Sequence, residues 1–234
     1  MKFASRIFAA WLAALALAWA VPAPAGINHG AASGGSSAAF VSAKVINDAT
    51  TSTTWPASAT GNLVIVDLYS NGSACGPPSS AGGSWTQLLV STDWGQGGGD
   101  FTSIYYRVVN STDTGSNLSF SGTCSFSGAG IYVYSGVTTA VLQSTATAAP
   151  SATLTLTGFT ATGSTKGAVV LHIDRTHSVS GVSISGWTGD SVEDLTWTFG
   201  AFSAFHNFSY SSGNVTITNG TPASQGFGAL IELQ

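Results

Sequence analysis

The two halves of this 234-residue chain repeat each other, weakly but in the same order. Four blocks of the first half have an echo in the second half: Gly61–Tyr69 with Gly167–Asp174, Gly83–Thr86 with Ser185–Thr188, Phe101–Tyr106 with Phe202–Phe208, and Gly128–Tyr134 with Gly226–Leu233. Each block is rich in strand-forming residues or in turn-forming glycine. The repeat therefore constrains the architecture far more than it constrains the chemistry.

Between and around these blocks the chain consists of short strand patterns separated by turn formers. Segments rich in valine, isoleucine, threonine and aromatic residues alternate with Asn-Gly and Gly-Pro turns, and helical periodicity is lacking beyond the N-terminal segment. In Ala152–Thr157, for example, Leu154 and Leu156 fall on one face and threonines on the other. The pattern predicts strands at 38–46, 61–69, 84–91, 101–110, 116–121, 129–135, 152–158, 167–174, 181–186, 194–199, 203–210, 213–218 and 226–233.

Many short strands at even spacing predict an all-β fold, an antiparallel β-sandwich or jelly roll with internal pseudo-duplication. We expect it to span 38–234, with repeat halves at about 38–144 and 152–234. The apolar runs Leu63–Leu68 and Ala168–Ile173 hardly alternate, which is typical of strands covered on both faces. This favours one sandwich in which the halves contribute equivalent strands to facing sheets. Two tandem β-domains are the alternative.

Residues 1–25 have the pattern of a signal peptide. Lys2 and Arg6 precede an apolar, helix-prone run from Ile7 to Val21, and Ala23-Pro-Ala then offers small residues for cleavage. A retained apolar helical anchor is the alternative. Residues 26–37, rich in glycine and serine, are interpreted as a linker. We expect an exported protein, extracellular or on a virion surface.

Charge is scarce in this chain. Only 7% of the residues are charged, and ten acidic residues stand against six basic ones. Without a basic stripe, nucleic acid is not an expected partner. Such a composition suits exported β-proteins, whose hydroxyl groups solvate the outward strand faces.

The two cysteines, Cys75 and Cys124, fall in loops of the first half and have no counterpart in the second half. In an exported protein they are expected to form a disulfide. Two unpaired buried thiols are the alternative.

Catalytic signatures are missing from the sequence. It contains no Gly-x-Ser-x-Gly elbow, no P-loop and no His-Glu-x-x-His motif. The four histidines, His29, His172, His177 and His206, are interpreted as core or surface residues. A shared metal at His172 and His177 is not expected, because a spacing of five points them to opposite faces of a strand. We therefore predict that the protein is not an enzyme.

Two groups of acidic residues are weak candidates for binding Ca²⁺. Asp93 and Asp100 flank a glycine-rich loop, and Asp190, Glu193 and Asp194 follow a tryptophan. Carboxylates and carbonyls are the ligands that Ca²⁺ prefers, but neither group matches a defined calcium loop. Solvated turn carboxylates are the favoured interpretation. No other cofactor is predicted.

The aromatic residues offer one candidate ligand site. Trp94 lies among glycines and polar residues in the same loop, where an exposed indole could stack on a sugar ring, and Trp55 is a weaker candidate. The alternative, which we favour, is that Trp94 folds back as a lid over the end of the sandwich, because exposed large aromatics are uncommon.

Four short motifs of the first half resemble a class of phage and bacterial surface modules. They are Gly61-Asn-Leu-Val-Ile-Val, Pro78 with Gly83-Ser-Trp-Thr, Ser103-Ile-Tyr-Tyr-Arg-Val-Val, and Ile131-Tyr-Val-Tyr-Ser-Gly-Val. The resemblance covers about residues 38–233, with Asn62 in place of the usual aspartate. It implies a β-sandwich, often lectin-like in shape, in virion proteins or exported bacterial proteins. It carries no catalytic residues.

The leading hypothesis is a non-enzymatic structural or adhesive surface protein, such as a virion decoration or tail-type module or an exported module, with weak carbohydrate binding as one mode of attachment. Its expected partners are a surface glycan or other protein subunits, within a homo-oligomer or a larger particle. The alternatives are a secreted carbohydrate-active enzyme or its binding module, and a filament or matrix subunit that assembles by strand addition.

Overall fold

The computed structural model describes residues 37–47, 51–90, 94, 99–120, 124, 126–148, 153–174, 183–185, 192–197, 200–209, 212–218 and 225–234. This part of the chain contains strands and no helix. The strands are β1 (Ala39–Asn47), β2 (Ser52–Thr54), β3 (Leu63–Asn71), β4 (Thr86–Val90), β5 (Asp100–Val108), β6 (Asn117–Ser119), β7 (Phe126–Ser135), β8 (Ala140–Ala148), β9 (Thr153–Phe159), β10 (Gly167–Asp174), β11 (Ser183–Ser185), β12 (Val192–Trp197), β13 (Gly200–Asn207), β14 (Gly213–Thr218) and β15 (Gly226–Leu233).

These strands form two large sheets and two small ones. The first large sheet has the order β1-β7-β3-β5-β4, and the second has the order β12-β13-β10-β15-β8. The first small sheet is β2-β6, and the second is β11-β14-β9. All strand pairs are antiparallel. The prediction of an all-β antiparallel fold is confirmed.

Three hydrophobic clusters hold the sheets in a sandwich-like stack. The central seam joins the facing sides of the two large sheets. The first outer cluster lies between the first large sheet and the first small sheet, and the second outer cluster lies between the second large and second small sheets. Both large sheets are therefore covered on both faces. This explains why β10 is buried at every position, and each fully buried Leu, Ile or Val contributes roughly 1.5–3 kcal/mol.

The strand order of the first large sheet recurs in the second. Replacing β1, β7, β3, β5 and β4 by β8, β15, β10, β13 and β12 converts one order into the other, and β2-β6 corresponds to β9-β14 in the same way. Across the seam β1 approaches β12 and β4 approaches β8. β12 is the counterpart of β4, and β8 is the counterpart of β1. Each edge strand of the first large sheet therefore lies beside the counterpart of its other edge strand, as expected for halves related by a two-fold rotation.

A β-bulge recurs at the same place in both large sheets. Val41 is the extra residue of β1 opposite the Val133–Tyr134 step of β7, and Gln143 is the extra residue of β8 opposite the Leu230–Ile231 step of β15. The two steps occupy equivalent positions when Leu63 of β3 is matched with Val169 of β10. Leu63 pairs with Tyr134 of the first step, and Val169 pairs with Ile231 of the second. The match extends from the strand order to the register.

Two strands escape the sequence prediction. β8 falls in the segment 136–151, which lacks a predicted strand, and β2 falls between the first two predicted strands. Because β8 pairs with β15, the matched sets of strands divide between β7 and β8, whereas the expected halves divide the chain at about residue 144. The sequence of β8 is Ala-Val-Leu-Gln-Ser-Thr-Ala-Thr-Ala, and its alanines are weak strand formers.

Residues 36–234 form one compact unit. The apolar segment 1–25 and the linker 26–37, except for its last residue, lie outside the described residues. Within the described part of the chain, no helix is long and apolar enough to cross a membrane.

A disulfide joins Cys75 to Cys124, as predicted, with 5.0 Å between their Cα atoms. It connects the loop after β3 to the segment before β7, beside the first outer cluster. Both cysteines of the chain are therefore paired.

Candidate functional site

Trp94, the predicted sugar-stacking residue, lies inside the central seam with 7% of its surface exposed. Its indole Nε1 donates to the Thr102 hydroxyl at 3.0 Å, and its ring centre is 5.8 Å from that of Tyr69 and 6.2 Å from that of Phe227. The ring closes one end of the seam, which is the lid arrangement. A ring in this position presents no open face to a sugar.

Asp100, one of the two predicted calcium ligands, is buried beside this ring. It accepts a hydrogen bond from the Tyr69 hydroxyl at 2.5 Å, and its backbone carbonyl accepts one from the Trp94 amide at 2.9 Å. The second predicted ligand, Asp93, lies outside the described residues, as does Asp190. Among the side chains that the structure describes, no group of three or more His, Cys, Asp or Glu could hold a metal ion.

Trp55, the weaker sugar candidate, belongs to a tryptophan–arginine cluster. Its ring stacks on Trp85, with ring centres 5.9 Å apart and planes 5° from parallel. The Arg107 guanidinium carbon lies 5.9 Å from the centre of the Trp55 ring and 5.6 Å from that of Trp85. Trp55 is 9% exposed, and its Nε1 donates to the Ser116 hydroxyl at 3.1 Å. This geometry is that of a packed structural cluster.

Arg107 connects β5 to two loops. Its Nη2 forms an ion pair with Asp113 at 2.9 Å, and both side chains are buried. Its Nη1 donates to the Ser80 hydroxyl at 2.7 Å and to the Gly83 carbonyl at 2.9 Å. Removing one partner of such a pair leaves an uncompensated buried charge, which typically costs about 3–5 kcal/mol. The Gly83-Ser-Trp-Thr motif is thus fixed to the sheet by an arginine of the next strand.

Glu232 is buried in β15 and is held by neutral donors. The hydroxyl groups of Thr162 and Thr165 and the side-chain amide of Gln143 donate to its carboxylate, the amide at 2.7 Å. Burial alone would raise the pKa of Glu232, but hydrogen bonds from Thr165, Thr162, Gln234 and Gln143 outweigh it and lower the pKa. These contacts tie the bulged residue of β8 to the adjacent strand.

His206 lies in the central seam and is 1% exposed. Its Nδ1 is 3.2 Å from the Tyr134 hydroxyl, and its ring stacks on Phe40 with ring centres 4.5 Å apart. Burial lowers the pKa of His206 to about 4. The neutral imidazole thus connects β13 of the second large sheet to β7 and β1 of the first.

Asp67 is a seam residue that the sequence analysis overlooked. It is fully buried in β3, and neither of its carboxylate oxygens has a hydrogen-bond partner among the described residues. It pairs with Ile104 of β5 and with Gly130 of β7. Desolvation by burial raises the pKa of Asp67 to about 8. An aspartate within the apolar run Leu63–Leu68 was the sequence signal for this site.

A second polar group that the sequence did not reveal lies on the outward face of the second large sheet. His172 pairs with Ser203, Asp174 follows two residues later on the same face of β10, and all three are fully buried. Their register counterparts in the first half are the apolar or aromatic residues Val66, Leu68 and Tyr105. The halves therefore differ in polarity here.

The outward faces of the two small sheets carry hydroxyl and amide groups. On β9 the threonines are exposed while Leu154 and Leu156 enter the second outer cluster. The exposed or half-exposed polar residues of these outer hydroxyl faces are Thr153, Thr155, Thr157, Ser185, Thr216 and Thr218 in the second half, and Ser52, Thr54, Ser79, Asn117 and Ser119 in the first. The described residues of the two faces are themselves uncharged, and the Lys44 ammonium of β1 contacts the first face by donating to the Thr54 hydroxyl at 3.2 Å.

The hydroxyl groups follow the strand register. Thr155 pairs with Thr216, and Thr216 pairs with Ser185, so that three hydroxyl residues lie side by side across three strands. In the first half Ser119 pairs with both Ser52 and Ser79. Neighbouring strands lie roughly 4.8 Å apart, and alternate residues along a strand roughly 6.7 Å apart. Both ends of the stack thus present a regular surface of hydroxyl groups.

No protein-family model matches the chain, and no match was found among the curated proteins or the solved structures.

Proposed function

We propose that the protein is a non-enzymatic structural or adhesive module that acts by surface contact outside the cell or on a virion. The observation that carries this proposal is the pair of outer hydroxyl faces, which are neutral, regular and repeated at both ends of the stack. Three buried acids, Asp100, Asp113 and Glu232, are engaged in hydrogen bonds that hold strands and loops together. Their roles are structural. The resemblance to phage and bacterial surface modules points in the same direction.

The Cys75–Cys124 disulfide supports an oxidising destination for the chain. The signal-peptide pattern of residues 1–25 supports export independently of the disulfide. Both observations agree with a place outside the cell.

The chemistry of the outer hydroxyl faces favours a neutral, hydrogen-bonding partner such as a surface glycan. Hydroxyl groups donate and accept hydrogen bonds, as sugar hydroxyls do. Because the described residues of these faces are uncharged and one lysine, Lys44, contacts the first face at Thr54, Coulomb attraction contributes little, and the interaction should depend only weakly on ionic strength. Polar contact of this kind differs from the aromatic stacking considered as a candidate at Trp94 and Trp55, whose rings are buried.

A glycan array tests this proposal. The wild-type protein should bind at least one neutral glycan, with equal signal at low and high salt. The double variant Ser52→Lys with Thr155→Lys puts one charge on each outer hydroxyl face and should lose at least tenfold in signal, about 1.4 kcal/mol. Thr138→Lys, a change at an exposed threonine outside both faces, should bind like the wild type.

Two outcomes would overturn the proposal: no signal for any glycan, or equal binding by the double variant. Turnover of a bound glycan would instead identify a carbohydrate-active enzyme. Concentration-dependent filaments in size-exclusion chromatography or negative-stain images would identify an assembling subunit.

A further inference from the structure

Asp67 is a carboxylic acid of the central seam, and neither of its carboxylate oxygens has a hydrogen-bond partner among the described residues. Asp100 and Tyr69 share a hydrogen bond at the Trp94 end of the seam, and Tyr134 contacts His206. Among the described side chains, two tyrosines of β5 and β7 are the other titratable groups that face the seam: Tyr106 and Tyr132. Glu193 of β12 pairs with the seam residue Ala204, but its side chain lies outside the described part.

No cation lies near Asp67 in the described seam. Lys44 and Arg107 contact groups on the outward side of the first large sheet. Three strands of the second large sheet face the seam with described side chains that are apolar except for one histidine: Val169, Leu171 and Ile173 of β10, Phe202, Ala204 and His206 of β13, and Phe227, Ala229, Ile231 and Leu233 of β15. An ionised carboxylate here would be shielded from bulk solvent and would have no counter-charge among the described residues.

His206 cannot compensate Asp67 at a distance. The histidine contacts Tyr134, which pairs with Leu63, four residues before Asp67 in β3. Four residues correspond to about 13 Å along a strand. The two groups therefore titrate in separate parts of the seam.

The space around Asp67 is shaped for an uncharged side chain. Gly130, its partner in β7, is covered by the Tyr132 ring, and a Cβ atom at Gly130 would overlap the Tyr132 hydroxyl. In the second half the position matched to Asp67 is Ile173, a fully buried apolar residue. A protonated, uncharged Asp67 side chain can pack at this position at little cost in free energy, whereas an ionised carboxylate would be an unpaired buried charge.

We propose that the central seam is a pH-sensitive joint, closed while Asp67 is protonated and loosened when its carboxyl group ionises. Each large sheet has its own outer cluster and small sheet, so the seam can loosen while both halves keep a hydrophobic core. The opened joint would expose the seam faces of the large sheets to water.

The sign of the effect follows from the pKa of Asp67, which burial raises from 3.8 to about 8. Between these values the folded chain holds a proton that the unfolded chain has released, so stability falls as pH rises. Its contribution is complete below 3.8, declines through the window and is constant above about 8. His206 acts oppositely, because its pKa falls from 6.5 to about 4 and stability is lost as pH drops through that range. Above pH 6.5 the contribution of His206 hardly changes, so the Asp67 effect is separated from it.

The test compares the oxidised full-length protein with Asp67→Asn between pH 6.5 and pH 8. The unfolding constant of the wild type, measured in urea, should rise roughly 15-fold over this range. The constant of Asp67→Asn should stay flat. In the same samples, amide exchange in β3 and β10 should accelerate with pH more in the wild type than in the variant, while exchange in β9 and β14 should change equally in both.

Two further variants keep the test decisive. Asp67→Ile introduces the residue type of Ile173, the matched position of the second half, and should also remove the pH dependence. It replaces Asp67→Asn in the comparison if that variant does not fold. His206→Phe retains a ring between Phe40 and Phe208 and should keep the alkaline loss. An equal pH dependence in the wild type and the Asp67 variants would overturn the proposal, as would an Asp67 carboxyl signal that titrates below pH 6 in NMR. Either result leaves the proposed glycan binding untouched, because the outer hydroxyl faces are remote from the seam.

Discussion

Single residues in this protein owe their environments to partners that are distant in sequence. Trp94 lies among glycines in the chain, yet its ring is buried between a tyrosine of β3 and a phenylalanine of β15. Trp55 is likewise covered by Trp85 and Arg107. The sequence left Trp94 with two interpretations, a sugar-stacking residue or the favoured lid over the end of the sandwich, and the contacts show a buried ring.

Gly82 is a residue whose replacement tests the tryptophan–arginine cluster. A Cβ atom at this position would overlap the guanidinium of Arg107 and the carboxylate of Asp113. We expect Gly82→Ala to break the buried ion pair and to lower the free energy of unfolding by about 3–5 kcal/mol, as measured by urea denaturation. Gly76→Ala, at a glycine with open space around it, is the matched control and should be near neutral. A decrease of less than about 1 kcal/mol in the free energy of unfolding of Gly82→Ala would contradict this prediction, because it would show that the loop can move and keep the ion pair.

At the scale of strands, the sequence predicted those with a strong pattern and missed those that depend on pairing. The apolar run Leu63–Leu68 lies in β3, because a strand covered on both faces needs no alternation. β8 was missed because its small residues gain their strand geometry from pairing with β15. The echo of Phe101 in Phe202 is also out of register, since the structure matches Phe202 with Ile104. Block order is visible in the sequence, but residue register is not.

The disulfide gives a prediction about two segments of the first half. Cys75 and Cys124 are 49 residues apart, so in the chain-entropy model the bond stabilises the protein by about 4 kcal/mol. We expect the double variant Cys75→Ala with Cys124→Ala to lose about 2–5 kcal/mol in urea denaturation. Amide protection should fall more in β6 than in β14, its counterpart without a disulfide. Reduction of the wild type should reproduce the loss, and equal protection in β6 and β14 would contradict a local effect.

For the molecule as a whole, the two halves form the same arrangement of sheets, and the polar residues that distinguish the halves are buried between these sheets. Asp67 faces the seam where the second half has Ile173, and His172 lies under the second small sheet where the first half has Val66. The sequence showed the repeat of the two halves but not these buried differences. It could not identify these positions, because they depend on which strand covers which face.

The two-fold arrangement predicts that the halves associate without a covalent link. Cutting the chain before Val137 separates β1–β7 from β8–β15, and the seam then becomes an interface between two fragments. Because the seam is the largest apolar cluster, we expect the co-expressed fragments to elute together in size-exclusion chromatography at pH 6. Their association should weaken at pH 8.5, where Asp67 is ionised, and should persist there when the first fragment carries Asp67→Asn. Elution as separate species at both pH values would show that the connecting chain, and not the seam, holds the halves together.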